Sequence, residues 1–172
     1  TVIGIILAAV FVAMVISILL SIFIWNPLEV GCQKFFINCK YGNAELGDIA
    51  YGFKNGYAHI GMIMFLRGLF TGLWMLLFII PGIVKSYEYM MIPYLLAEHP
   101  EMTRQEAFAE SKQMMDGNKW DAFVLDLSFI GWTLLGVCTF GILLVFYVEP
   151  YIYLTRAELY HALKNNNKSV EF

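Results

Sequence analysis

Charge is what this chain has least of. Charged residues make up 15% of its 172 positions, against about 25% in an ordinary soluble domain. The net charge is −3, with no basic stretch or face, so nucleic-acid binding, which needs one, is excluded. Cysteine is also sparse: Cys32, Cys39 and Cys138. An odd count argues against a disulfide framework. Cys32 and Cys39 stand seven apart, with no histidine beside them, which is not a metal-binding spacing. They read as small packing residues. His59, His99 and His161 are scattered, and none has a His or Cys companion one helical turn away. The chain has no Gly-x-Ser-x-Gly, no His-Glu-x-x-His, no phosphate loop and no dinucleotide fingerprint. The expectation is a protein without catalytic residues, metal or cofactor.

Apolar sequence is what it has in excess. Hydrophobic residues make up 59% and aromatics 16%, where a soluble domain carries about 45–50% apolar residues. A soluble fold of this length cannot hide so much apolar surface, so the lipid bilayer is the expected surrounding. Three long runs carry the excess: Val2 to Trp25, Ala58 to Ile80 (interrupted by Arg67) and Ala122 to Val148 (interrupted by Asp126). Each reaches the roughly 20 residues of a spanning helix. The first lacks a positive leading segment and is too long for the apolar part of a signal peptide. Gly68 and Gly72 form a Gly-x-x-x-Gly pair, a spacing that lets membrane helices approach closely. Trp25, Tyr57, Trp120 and Tyr147 read as interfacial anchors.

Each run closes on a proline, at Pro27, Pro81 and Pro150. Each proline is followed by a more polar, tyrosine-bearing stretch: Pro27 to Tyr41, Pro81 to Glu98 and Pro150 to Lys164. Proline suits a helix's first turn and breaks its interior, so each is read as starting a new helix or making a sharp kink. Polar connections lie between the blocks. In the second, Thr103 and Glu106 form a Thr-x-x-Glu capping box. It predicts a helix Arg104 to Met115 with Ala107, Phe108, Ser111 and Met114–Met115 on one side. Both connections end on a Gly/Asn/Lys cluster and an aromatic: Phe53-Lys54-Asn55-Gly56-Tyr57 and Asp116-Gly117-Asn118-Lys119-Trp120. The pattern reads as an internal repeat.

The expected fold is all-α: a polytopic transmembrane bundle of about six helices in three proline-linked hairpins. It forms a single domain over 1–172, with repeats near 1–41, 57–98 and 120–164 and connections 42–56 and 99–119. Hairpins would collect Lys40, Lys54, Arg104, Lys112, Lys119, Lys164 and Lys168 on one face, which the positive-inside rule makes cytoplasmic. The competing reading, three kinked spans with the short helices on the interface, would divide these charges evenly between the sides.

Ionisable groups at membrane depth are the functional candidates. At about 1.5 Å per residue from each proline, Lys85, Glu88, Arg156 and Glu158 fall in one layer with Tyr87, Tyr89, Tyr151 and Tyr153. The expected site is a buried polar cluster of Lys85, Glu88, Arg156, Glu158, Tyr87 and Tyr153, with Lys85 or Arg156 paired to Glu88 or Glu158. It would hold a small anion or lipid head group, relay protons, or simply lock the short helices together. Arg67 is read as snorkelling to the head groups, Asp126 as a cap or interfacial group, and Glu29 and Glu149 as facing the far interface. The helix bearing Arg104, Phe108 and Lys112 is the candidate surface for a partner or for the inner leaflet.

Several stretches carry a family likeness. They are Leu77-Phe78-Ile79-Ile80-Pro81-Gly82-Ile83-Val84-Lys85-Ser86-Tyr87, Pro93-Tyr94-Leu95-Leu96-Ala97-Glu98-His99-Pro100, and Glu106-Ala107 with Ser111-Lys112 and Met115. Leu127-Ser128-Phe129-Ile130-Gly131-Trp132 and Pro150-Tyr151 with Thr155 continue it. Together they resemble a family of uncharacterised bacterial multi-pass membrane proteins, domain of unknown function number 975. The resemblance covers nearly the whole chain. It implies a bacterial cell-membrane location and a helical membrane fold, and it supplies no catalytic residue. Members carry a basic, tryptophan-containing segment ahead of the first apolar run, so the chain is expected to be a piece that starts after it. The functional expectation is a non-enzymatic protein that binds or scaffolds a membrane or cytoplasmic partner. The alternative is a small transporter or a lipid- or anion-binding protein using the charged layer.

Overall fold

The structure is a computed structural model that describes residues 2–139 and 141–170. The side chains of Cys138 and Lys168, named above, lie outside the described residues. Every regular element among the described residues is helical. Three helical stretches are long and apolar enough to cross a membrane: Ile6–Lys40, Tyr57–Leu77 and Lys119–Val137.

The first block departs from the expected hairpin. Helix α1 (Val2–Leu20) runs through one π-helical turn (Ser21–Trp25) into α2 (Asn26–Lys40). The reason lies at Pro27. Proline has no N–H to give, and its ring pushes against the carbonyl four residues back, here that of Phe23. The wider turn absorbs this: the Asn26 N–H reaches the Ser21 carbonyl instead. The carbonyl left over is taken by a side chain, because the Tyr57 hydroxyl donates to the Phe23 oxygen at 2.7 Å. The helix therefore continues, and Val2 and Lys40 lie at opposite ends of a rod. Pro150 behaves alike. A π-helical turn (Leu144–Val148) precedes it, and the Glu149 N–H bonds the Leu144 carbonyl.

The other two blocks do fold back, though not at their prolines in both cases. Helix α3 (Tyr51–Lys54) leads to α4 (Tyr57–Leu77). Phe78 is extended, and α5 (Ile79–Glu88) returns with Pro81 in its first turn. The two helices touch closely enough that a Cβ at Gly82 would lie 2.6 Å from the Met75 Cα. In the third block α8 (Lys119–Ser128) and α9 (Ile130–Cys138) run out, and the chain reverses before Ile142, well ahead of Pro150. Helix α10 (Glu149–Val170) completes the return. Gly56 and Gly117, which open the second and third blocks, have φ of 68° and 76°. Only glycine takes this left-handed conformation without strain, which accounts for the glycine in both polar clusters.

The stretch Pro81 to Glu98 is two helices, not one. Helix α5 ends at Glu88, and α6 (Ile92–Glu98) begins with Pro93 in its first turn. Helix α6 is apolar all round, and such a helix belongs inside. Ile92, Leu95, Leu96 and Ala97 are essentially inaccessible. Around α6 pack the latter half of α2, the start of α4, α7 (Arg104–Met115) and the end of α10. These form a compact head.

Beyond the head the apolar segments project as three arms: α1, the α4–α5 tip and the α9 hairpin. Their surfaces are bare. Phe11 is 66% exposed, Leu76 87% and Phe146 80%. A surface of this extent is not that of a water-soluble monomer.

Two glycines in α2 and α3 let the connection 42–54 fold flat against the first helix. A Cβ at Gly31 would stand 1.9 Å from the Ile49 oxygen, and one at Gly52 2.2 Å from the Pro27 oxygen. Gly72 has nothing within 4 Å. Gly31→Ala is therefore expected to lower stability by about 1–3 kcal/mol through forced backbone movement, while Gly72→Ala leaves it unchanged or raised. Thermal unfolding of the two variants in detergent, followed by circular dichroism, checks the contrast. Equal effects would refute the close approach.

Candidate functional site

Where the arms join the head, the sequence places a few charges on otherwise apolar helices, and the fold pairs them. Arg67 of α4 meets Glu29 of α2 at 2.9 Å. Lys85 and Glu88, one turn apart on α5, meet at 2.8 Å. Arg156 of α10 meets Asp126 of α8 at 2.9 Å. The Tyr87 hydroxyl donates to the second Asp126 oxygen at 3.0 Å. Tyr94 of α6 is buried, and its burial pushes its hydroxyl's pKa up. The pairing in this belt of charges fits the setting, since a charge on an otherwise apolar helix and partly withdrawn from water needs a partner.

Some expected partnerships are found and others are not. Lys85 and Glu88 do pair. Arg156 does not pair with Glu158, because those residues are two apart on α10 and face different ways. Glu158 instead bonds Lys40 at 2.5 Å, where both side chains are solvated. Tyr153 stacks on Phe36 with centroids 5.1 Å apart. Tyr87 joins Asp126, so Asp126 is a central acceptor, not a cap. Arg67 is held by Glu29, and Glu29 does not face a far interface. The unbroken first helix carries Glu29 back to the level of Arg67.

Lys112 and Lys119, which depth along the helices does not place in the layer, join it. Their ammonium groups stand 3.9 and 3.7 Å from the Glu88 carboxylate, which is almost wholly buried. The signal available in the sequence was Lys119 and Asp126, seven apart on α8 and so on one face. That face meets α5, where Glu88 and Tyr87 are adjacent.

Helix α7 begins and ends as predicted, with both halves of the Thr103–Glu106 capping box formed. Its apolar side is used within the chain. Ala107, Ser111, Met114 and Met115 are buried, and the Ser111 hydroxyl donates to the Glu88 carbonyl at 2.8 Å. Phe108 sits edge-on to Tyr89 and Phe70, at 4.9 and 5.8 Å. Arg104, Gln105, Lys112 and Gln113 remain exposed. Gly68 and Gly72 pack against no helix; they line an open groove of about 500 Å³ between α1 and α4. Among the described residues no group of three or more His, Cys, Asp or Glu is arranged to hold a metal.

At the far end of the head Glu98 accepts from Tyr160 at 2.6 Å and from Lys164. Burial pushes its carboxyl up, but these two hydrogen bonds and the Lys164 charge outweigh burial and hold it below the usual carboxylate value.

The family described as "Protein of unknown function (DUF975)" matches residues 1–167. The chain belongs to that family. No curated protein matches it, and no solved structure does. Membership in DUF975 fixes no activity, so the chemistry of this DUF975 member rests on its own side chains. These offer paired charges, open apolar grooves and a polar helix face.

Removing the acid from the lysine group is expected to cost stability. Glu88→Gln leaves three ammonium groups without their counter-charge. With the lysines' partial exposure taken into account, the loss is about 2 kcal/mol. Lys85→Gln in the same chain recovers part of it. Denaturant titration of the single and double variants checks this, and a silent Glu88→Gln would mean that the carboxylate does not organise the group.

Glu98 predicts a pH dependence. Its folded pKa is lowered, so its contribution is fully present above the ordinary glutamate value and is lost as pH falls from there through the folded value. The difference in melting temperature between the native chain and Glu98→Gln should be largest near neutral pH and shrink in acid. A difference independent of pH would contradict the assignment.

Proposed function

We propose that this chain is a non-enzymatic protein of the bacterial cell membrane that binds a cytoplasmic or membrane partner. In this reading the arms sit in the bilayer and the head faces the cytoplasm. The observation that carries the reading is the state of the charges at depth. Glu29, Glu88 and Asp126 are each engaged by a cation, so none is poised as a free acid or base. The grooves beside them open sideways along the arms, where lipid or another helix would lie. A transporter would instead need an aqueous path across this layer.

Lys40, Lys54, Arg104, Lys112, Lys119 and Lys164 belong to the head and its connections, which supports a cytoplasmic head by the positive-inside rule. The partner-binding face is then the polar side of α7, where Arg104, Gln105 and Gln113 are free of internal packing. Its apolar side is already used in the chain, so docking there rests on charge and hydrogen bonding.

Two measurements in cells test the reading. On a background with the native cysteines replaced, single cysteines at Asn43 and Glu101 should react with an impermeant thiol reagent only after the membrane is opened. A photo-crosslinking residue in place of Gln105 or Gln113 should give discrete protein adducts that Arg104→Glu removes. The reading fails if those positions yield no protein adduct while proteoliposomes holding the purified chain release trapped radiolabelled phosphate faster than empty ones.

A further inference from the structure

The three lysines gathered at Glu88 form an incomplete charge pattern. Lys85, Lys119 and Lys112 stand 2.8, 3.7 and 3.9 Å from one carboxylate. Three positive charges against one negative leave a surplus of two. Only Lys85 is within hydrogen-bonding distance; Lys112 and Lys119 lie beyond it and keep their donors for another acceptor. Among the described residues no second carboxylate pairs with any of the three. The carboxylate itself is buried, so its role is to draw the three ammonium groups together. A surplus of positive charge so arranged is complementary to a phosphate.

What adjoins the lysines decides which phosphate. Lys119, the one lysine of the three that lines it, and Tyr87 sit at the head end of a groove of about 380 Å³ whose wall continues over Ile80, Ile83, Val84, Trp120 and Phe123, and Lys85 and Lys112 adjoin that end through Glu88. Beyond that end it is almost wholly apolar, and it opens outward: Ile80 is 77% exposed and Trp120 69%. The length fits one leaflet. On α5 the groove runs from Tyr87 to Ile80, seven residues of helix or about 10 Å, which lies within the half of the roughly 30 Å hydrocarbon core that one leaflet supplies. Trp120 beside Lys119 is the side chain preferred at the head-group level. A basic end and an apolar channel within one leaflet fit a single molecule with a phosphate and part of an acyl chain.

We infer that Lys85, Lys112 and Lys119 bind the phosphate of an anionic phospholipid in the leaflet facing the head, and that the groove between α5 and α8 holds part of one of its acyl chains. The surplus of two charges selects a lipid with net negative charge over a zwitterionic one. The site goes beyond the partner-binding reading and does not rest on it. It uses residues other than Arg104, so Arg104→Glu leaves lipid binding intact if the two are separate.

The test uses the full chain with Trp120 as its only tryptophan, in nanodiscs of phosphatidylcholine. A minor fraction of either brominated phosphatidylglycerol or brominated phosphatidylcholine is added, and quenching of Trp120 is read. The native lysines should enrich the brominated phosphatidylglycerol at Trp120 roughly tenfold over random mixing. Lys112→Gln with Lys119→Gln should abolish the enrichment. Val84→Phe, which narrows the groove and leaves the charges, should weaken it. Lys112 is exposed and Lys112→Gln alone keeps the Lys85–Glu88 pair, so this single variant gives a partial loss in a folded protein. Equal quenching by the two lipids, or enrichment indifferent to the lysine changes, would overturn the proposal. Full displacement by millimolar inorganic phosphate would also overturn it, because the site would then be one for a free anion.

Discussion

The structure depends on keeping every acid at the junction of head and arms in the company of a base. An ion taken into a medium that cannot solvate it is stable only when paired. Glu29, Glu88 and Asp126 are the acids at this level, and each meets a base from its own or a neighbouring helix. These contacts do more than neutralise. Glu29–Arg67 sets the first helix against α4, and Asp126 ties α8 to both α10 and α5. The belt thus fixes the level at which packing among helices gives way to exposed apolar surface. Above it α6 is enclosed on all sides; beyond it the arms contact each other little.

The first helix shows why this level was hard to place. A proline at a run's end reads as a turn, since nothing in local sequence distinguishes a break from a bulge. What decides is whether the displaced carbonyl finds a donor. At Phe23 the donor is the Tyr57 hydroxyl, 34 residues along the chain. Once the helix runs on, Glu29 moves from an imagined far turn to the level of Arg67, and the pairings near it change together. Pro81, with extended Phe78 three residues ahead of it, gives the turn that was expected.

Elements that depend on local chemistry were legible. The capping box fixed the start of α7, and its spacing of apolar residues identified the buried side. The pairing of Lys85 with Glu88 follows from their separation by one turn. What the sequence could not show was any contact made across helices of unknown register. Asp126 is such a case: its partners Tyr87 and Arg156 lie 39 and 30 residues away. Distance from Pro150 places Glu158 in the layer, but rotation about the helix axis, not depth, directs it to Lys40.

The arms differ in reach, and the tip of the second shows how a short one is tolerated. Helix α1 spans about 28 Å by its 19 residues, whereas α5 rises only about 15 Å. In the placement proposed above, with the arms set at the same level, the α4–α5 tip ends near mid-bilayer, where lipid offers no hydrogen bonds to exposed backbone. The tip closes two of its own. The Phe78 N–H bonds the Trp74 carbonyl at 3.0 Å, and the Gly82 N–H bonds the Phe78 carbonyl at 3.0 Å. Between them stands Pro81, which has no N–H to leave unsatisfied. In water a proline in the first turn mainly presets the backbone. Here it also removes a donor from a place with no acceptor, which is a reason for this residue at this turn independent of its effect on helix direction.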